Sequence, residues 1–256
     1  MVNFEVHRGA SLFTHFNPLF IIKKKKVPHS MLQNKHIALV TRTASAIFAL
    51  VGILAMGGFF RGAWQWSSFM FYTTLSNALA FVMFVYLAFA TTASIRRDGD
   101  YGPLRRGAGF EMVCMADIIL TFVVYWVLLA PKFPAEGRWQ FDNLAVHGVT
   151  PLLCVADYVL YTPPDSLKYR DVYGVIIFPL LYFAGTSFAG FAGYVYSREP
   201  SGQAVRFPYF FLDYDRIGAM VFVNVAIMLL VFLALSHALY FLNRKSRKQT
   251  PARDKA

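Results

Sequence analysis

The 256-residue sequence predicts an all-α polytopic membrane protein, a bundle of six transmembrane helices with both termini cytoplasmic. Composition is the first observation: 57% of residues are hydrophobic and the mean hydropathy is +0.45, which excludes an ordinary soluble domain. The second is length. Several apolar runs reach roughly 20 residues, enough to cross a hydrocarbon core as a helix, whereas the roughly 10-residue alternating segments of a membrane β-barrel are absent. The third is where the charges fall. The net charge of +11 does not form a nucleic-acid surface, because the basic residues flank the apolar runs mainly on one side.

In chain order, residues 1–36 form a basic N-terminal tail. Its apolar stretch SLFTHFNPLFII is interrupted by Asn17 and Pro18, is too short to span, and precedes the Lys23–Lys26 run. A cleavable signal peptide has the opposite order, with a basic segment first and a small-residue cleavage site after the apolar one. The tail is expected to lie at the membrane surface, its lysines favouring anionic headgroups. The transmembrane domain covers 37–243. Its spans are expected near Ile37–Phe60, Ser68–Ala90, Gly109–Ala130, Phe141–Tyr161, Asp171–Tyr196 and Arg216–Leu242. A second basic tail covers 244–256. The connections are short, which favours an up-down bundle. Cys114 and Cys154 both fall within spans and read as small core hydrophobes, not a disulfide framework.

Orientation follows from Lys and Arg. Most of the 25 basic residues sit in the two tails and in the 2–3 and 4–5 connections, the latter carrying Arg96, Arg97, Arg105, Arg106, Lys168 and Arg170. The opposite side carries Arg61, Lys132, Arg138, Arg198 and Arg206. An even number of spans is needed to keep this asymmetry. Short loops and the lack of a targeting signal point to a bacterial inner membrane.

Polar residues inside a bilayer must face partners or water. Thr73 sits five residues into span 2 and His147 six residues into span 4, and both spans run inward. At 1.5 Å per residue both lie on the order of 8–9 Å below the outer edge, which permits contact between them. A threonine hydroxyl becomes a nucleophile when a neighbouring base accepts its proton, and neutral histidine is the usual base. Asn77, one turn below Thr73, and Asn224 on span 6 are candidate amide donors to a developing oxyanion. The plainer alternative is that Thr73 and His147 are hydrogen-bonded glue between helices.

A second, inner layer holds Arg42, Asp117 and Asp157, read as an ion pair of Arg42 with one of the two acids. A proton or ion path is the sharper alternative. The outer 5–6 connection ends in the aromatic run FPYFFLDY, expected to form a lid or a lipid-access rim. Trp64, Trp66 and Trp139 are expected anchors at the outer interface.

FYTTLSNAL in span 2, NLAVHGVTPLLCVADYVLY in span 4 and FPYFFLD before span 6 resemble, in order and spacing, a bacterial family of six-span integral membrane proteins. That family is itself similar to the eukaryotic androgen-induced and androgen-dependent membrane proteins, described as threonine hydrolases of fatty acid esters of hydroxy fatty acids. The resemblance covers roughly 37–243. It implies Thr73 as nucleophile, with Thr74 the ambiguous neighbour, and His147 as its partner. It places Asp157 in the family's acidic position, and matches the rim motif at Pro208, Phe211, Leu212 and Asp213. The chain departs from the pattern at Gly148, where the bacterial relatives often carry a second histidine, and at Phe210, where they carry a proline.

The expected activity is therefore intramembrane hydrolysis of a lipid (fatty-acyl) ester by Thr73 and His147, with membrane lipids and an amphiphilic acyl ester as partners and no nucleic acid. No metal or cofactor is expected, since Cys and His are not spaced for zinc and no Gly-rich phosphate loop follows a strand. The alternative is a non-enzymatic six-span lipid or small-molecule transporter or binding protein centred on Arg42, Asp117 and Asp157, with Pro151 and Pro179 as kinks.

Overall fold

A computed structural model describes residues 34–246 apart from 105–106 and 133. Nearly all of both tails, including Lys23–Lys26, and Arg105 and Arg106 lie outside the described residues. Among the described residues six helices are long and apolar enough to cross a membrane. They are α1 (Lys35–Met56), α2 (Tyr72–Asp98), α3 (Ala108–Lys132), α4 (Phe141–Tyr161), α5 (Tyr169–Phe191) and α6 (Met220–Ser246). A hairpin of β1 (Ser197–Arg198) and β2 (Ala204–Val205) rises in the α5–α6 connection. The chain is an all-α, multi-pass integral membrane protein.

The helices alternate in direction, as contacts at their two ends show. At one end the Lys35 N–H donates to the Asp100 carbonyl, joining the start of α1 to the α2–α3 connection. Thr162, just past α4, donates to Glu111 near the start of α3 at 2.7 Å. Asn243 near the end of α6 donates to the Pro163 carbonyl at 2.9 Å. At the other end Arg61 pairs with Asp142 at 2.7 Å, and Tyr182 donates to the Met70 carbonyl at 3.1 Å. The described chain therefore begins and finishes at the same end of the bundle.

Helix boundaries follow local chemistry. Asn34 caps α1, its side-chain oxygen accepting from the His36 N–H at 2.9 Å. Span 1 was expected to reach Phe60 but α1 stops at Met56, because Gly58 takes φ +80° and a Cβ there would meet the Ala63 carbonyl oxygen at 2.3 Å. Span 2 was expected from Ser68, yet residues Trp66–Met70 form a separate 3₁₀ turn and α2 starts at Tyr72. Lys35 is buried, and its ammonium donates to the Gly99 and Ser94 carbonyls, closing the C-terminal end of α2. Spans 5 and 6 are shorter than expected at the connection between them, ending at Phe191 and starting at Met220. The hairpin and a short turn, Tyr214–Ile217, occupy the difference.

Two apolar clusters hold the bundle. Ala46, Met83, Phe84, Leu87, Ile118 and Cys154 pack α1 to α4 together. Met112, Met115, Leu120, Val172, Val175 and Phe232 join α3 to α5 and α6. About half of the apolar window is buried in α3 and α4, but less than a quarter in α5 and α6. The last two spans are peripheral, and α6 leaves room beside α3 toward the end that carries the hairpin.

Candidate active site

Thr73 is the second residue of α2. Its N-cap, Phe71, is extended and offers no side-chain acceptor to the first turn, so the first N–H groups of α2 have no acceptor within the helix. Tyr209 packs at this helix start, its ring centroid 6.1 Å from that of Phe71, and lines the same space as Thr73. Burial pushes the Tyr209 phenol above its ordinary value, which keeps it neutral.

His147 is set by an irregularity in α4. Pro151 has no N–H and its ring crowds the carbonyl four residues back, which is that of His147. The helix loosens into a π turn over Ala145–Val149, closed by the Thr150 N–H donating to Ala145. The orphaned His147 carbonyl accepts the Trp126 indole N–H at 2.9 Å. A second π turn, Tyr125–Leu129 in α3, lies beside the first. It brings the Tyr125 ring onto the imidazole, with centroids 3.6 Å apart and planes 14° from parallel. Isolated π turns of this kind recur at functional sites.

The imidazole is oriented through both nitrogens. Nδ1 lies 3.2 Å from the Asn143 carbonyl and Nε2 lies 3.1 Å from Thr73 Oγ1. A carbonyl only accepts, so in the neutral ring Nδ1 carries the hydrogen and Nε2 presents its lone pair. The Thr73 hydroxyl is therefore the donor to Nε2. Of the two neighbouring threonines, Thr73 is the one the structure sets against the imidazole. The arrangement can move a proton from a hydroxyl to a base in a site 5% exposed at the histidine.

The other residues singled out from sequence are distributed as follows. Asn77 was expected to aim its amide at the reaction centre. Both amide hydrogens are instead committed to carbonyls, of Thr73 at 2.8 Å and of Val146 at 3.0 Å, so it clamps α2 to α4. Asn224 was expected to join the same layer. It donates to the Phe211 carbonyl at 3.0 Å and fastens the aromatic loop to α6. Pro208 lines the space above Thr73, while Phe211 and Leu212 line the space beneath it. Asp213 caps the short turn that precedes α6 and pairs with Arg216 at 3.0 Å.

The inner layer needs one correction. Arg42 pairs with Asp157 through Nη2 at 2.8 Å and Nε at 2.9 Å, and donates to Thr91 at 2.8 Å. Asp117 is not part of it: Oδ1 accepts the Tyr72 hydroxyl at 2.9 Å. The reason is direction along the helix. Asp117 lies six residues further into α3 than Glu111, the acid near the start of α3 that accepts from Thr162. Sequence reasoning missed Glu111, Tyr125 and Trp126, and took in Tyr209 only as part of the aromatic run FPYFFLDY. Tyr125 and Trp126 carried no signal beyond general aromatic content. Pro151 was visible, but which carbonyl it would orphan and who would claim it were not.

Two spaces meet at Thr73. A vestibule of about 440 Å³ at the end of the bundle away from Asn34 and Asn243 is lined by Arg61, Gln65, Ser68, Asn143, His147 and Tyr209 among others. A smaller apolar cavity of about 60 Å³ lies deeper, between Leu120, Val124, Tyr182, Val225 and Phe232. Thr73, Tyr125, Leu129 and Tyr209 line both. Among the described residues no three His, Cys, Asp or Glu side chains converge as metal ligands would.

The fold and this site define a class: a six-helix integral membrane protein with a hydrogen-bonded Thr–His pair buried at one end. Comparison with protein-family models, with curated proteins and with solved structures returned no match.

Proposed function

We propose that this protein is an intramembrane hydrolase of fatty-acyl esters, with Thr73 as nucleophile and His147 as general base. The observation that carries the reading is the 3.1 Å approach of Thr73 Oγ1 to a His147 Nε2 whose lone pair is exposed by the Nδ1–Asn143 contact. In the proposed reaction Thr73 Oγ1 attacks the ester carbonyl carbon as Nε2 takes its proton. The negative oxygen of the tetrahedral intermediate meets the N–H groups of the first turn of α2. Collapse expels the alcohol, which takes the proton back from Nε2 and leaves an acyl-threonine. Water, deprotonated by Nε2, then attacks that ester, releases the fatty acid and restores the Thr73 hydroxyl.

The motif likeness to the six-span family and its eukaryotic threonine hydrolases supports the same reading, and membership of that family is part of the proposal. So is location: basic residues on the side of both tails support cytoplasmic termini in a bacterial inner membrane, which puts the vestibule at the outer leaflet. The transporter reading has less support. Every nitrogen of the Arg42 guanidinium donates to Asp157 or Thr91 in a buried lock.

The test is labelling of purified protein in detergent with a fluorophosphonate, with the modified residue mapped by mass spectrometry. Wild type is expected to be labelled at Thr73. The rate should fall by about 10²–10⁴-fold in His147→Ala, vanish in Thr73→Ala and survive in Thr74→Ala. Labelling at Thr73 that is indifferent to His147→Ala would sink the assignment.

A further inference from the structure

We infer that the acyl chain of the substrate reaches Thr73 sideways from the bilayer, through the seam between α3 and α6, while the polar part of the molecule occupies the outer vestibule. The inference rests on the proposed hydrolase site for its reaction but not for its geometry. A groove of about 520 Å³ runs along the lipid-facing side of α3 and α6, lined by Val123, Val127, Leu128, Ile227, Met228 and Val231. Its lining is almost wholly hydrocarbon. The one amide there, Asn224, is already engaged with the Phe211 carbonyl.

The groove adjoins the site across a shared wall. Leu120, Val124, Phe211 and Met228 line both the groove and the deeper apolar cavity, and that cavity touches Thr73. A chain lying from Leu128 to Leu120 would follow α3 for about 12 Å and then turn inward beneath Tyr209. The polar and apolar spaces thus differ in chemistry: the vestibule has Arg61, Gln65, Ser68 and Asn143 at its wall, and the cavity beneath Thr73 and the groove beside it have none of these. An ester with one hydrocarbon arm and one polar arm matches that division, its carbonyl falling at the junction. Phe210 stands in the groove's lining, and its ring carries the Lys132 ammonium 3.3 Å from its centroid. This contact ties the end of α3 to the aromatic loop across the seam.

The occupant is a lipid acyl chain, because the groove opens between two helices long and apolar enough to cross a membrane, where the apolar side chains are exposed. Val127 is 64% exposed and Ile227 is 54% exposed, so tryptophan at either position would fill the groove without entering the core.

The experiment uses the full chain in phosphatidylcholine nanodiscs with a palmitoyl ester carrying a diazirine at its chain end. Photolysis is followed by mapping of adducts, with excess unlabelled palmitoyl ester as competitor. Competed adducts are expected at Leu120 and Val225, which line the inner cavity. They should fall by about tenfold in Val127→Trp/Ile227→Trp, a loss equal to the burial of about two methylenes. They should be unchanged in Val82→Trp, an exposed control on α2, and unchanged in Thr73→Ala, because occupancy needs no chemistry. Competed adducts confined to vestibule residues such as Met56 and Phe71, and indifferent to the groove substitutions, would overturn sideways access while leaving the hydrolase reading standing. So would adducts at Leu120 and Val225 no more abundant than at Val82. Groove adducts in a protein that takes no fluorophosphonate at Thr73 would instead uphold the chain site and remove the hydrolase.

Discussion

The Tyr125 ring lies flat on the His147 imidazole, centroids 3.6 Å apart, and each ring is carried by its own π turn. Neither turn would be useful alone. The turn in α4 aims the imidazole at Thr73, and the turn in α3 supplies a flat wall behind it and the Trp126 indole beside it.

Removing the hydroxyl of Tyr125 should cost nothing. That oxygen is buried without a hydrogen-bond partner among the described residues, so Tyr125→Phe is expected to match or exceed wild-type stability and to keep full Thr73 reactivity. Tyr125→Leu loses the stack, worth about 0.5–1.5 kcal/mol, and should slow fluorophosphonate labelling. Equal rates in the Phe and Leu variants would show that the stack does not position the base.

Pro151→Ala separates stability from reactivity. It returns an N–H to the His147 carbonyl and removes a helix breaker whose interior cost is about 3 kcal/mol. The melting temperature in detergent should rise. The imidazole should shift as the π turn tightens, and a displacement near 1 Å is worth about 10²-fold in rate. Opposite signs in the two measurements are the expected result; a rise in both would mean that the π turn does not aim His147.

The inner pair is predicted to be structural. Arg42 is 2% exposed, so Asp157→Asn leaves a buried charge without its counter-ion and should destabilise by about 3–5 kcal/mol. Arg42→Met/Asp157→Leu removes both charges and should recover most of that loss in thermal unfolding. Thr73 labelling should be unaffected in the double variant at temperatures where it is folded.

The hairpin connection between α5 and α6 should loosen in acid. Arg206 bonds Asp215, with Nε to Oδ2 at 2.8 Å, and holds its carboxyl below the usual range. Because the folded value is the lower one, the contact contributes fully above the ordinary aspartate value of about 3.9. Its contribution is lost as pH falls through the depressed one. A spin label at Gln203, on the hairpin, is expected to stay restricted at pH 6 and to gain mobility below about pH 4. Arg206→Gln should show the looser spectrum already at pH 6.

Much of the architecture was legible in the chain, for reasons that can be named. Water is absent from the bilayer core, so a spanning segment must satisfy its backbone within itself, and about 20 apolar residues in a row leave helix as the answer. That is why α4 was expected over its observed range, Phe141–Tyr161. The ends were less legible where a turn replaces a helix without changing hydropathy. Trp66–Met70 is as apolar as a first helical turn but folds separately, and that difference puts Thr73 at a helix start instead of inside one.

The sequence by itself determined which residues had to be reconciled with a membrane: Thr73, Asn77, His147, Arg42, Asp117, Asp157 and Asn224. Hydropathy and spacing also placed Thr73 and His147 at matching depth, because rise per residue converts position into distance along the membrane normal. Only the tertiary structure decided which of them meet. Depth says nothing about rotation around a helix axis or about which helices are neighbours. Those are set by packing, by Gly52 letting Ala145 close on α1, and by Pro151 turning His147 through a π turn. The same packing sent Asn77 to two carbonyls, Asp117 to Tyr72, and Asp157 to Arg42. Each of these groups has a short reach and a fixed direction, and in a medium that supplies no hydrogen bonds of its own each takes the partner that its helix face presents.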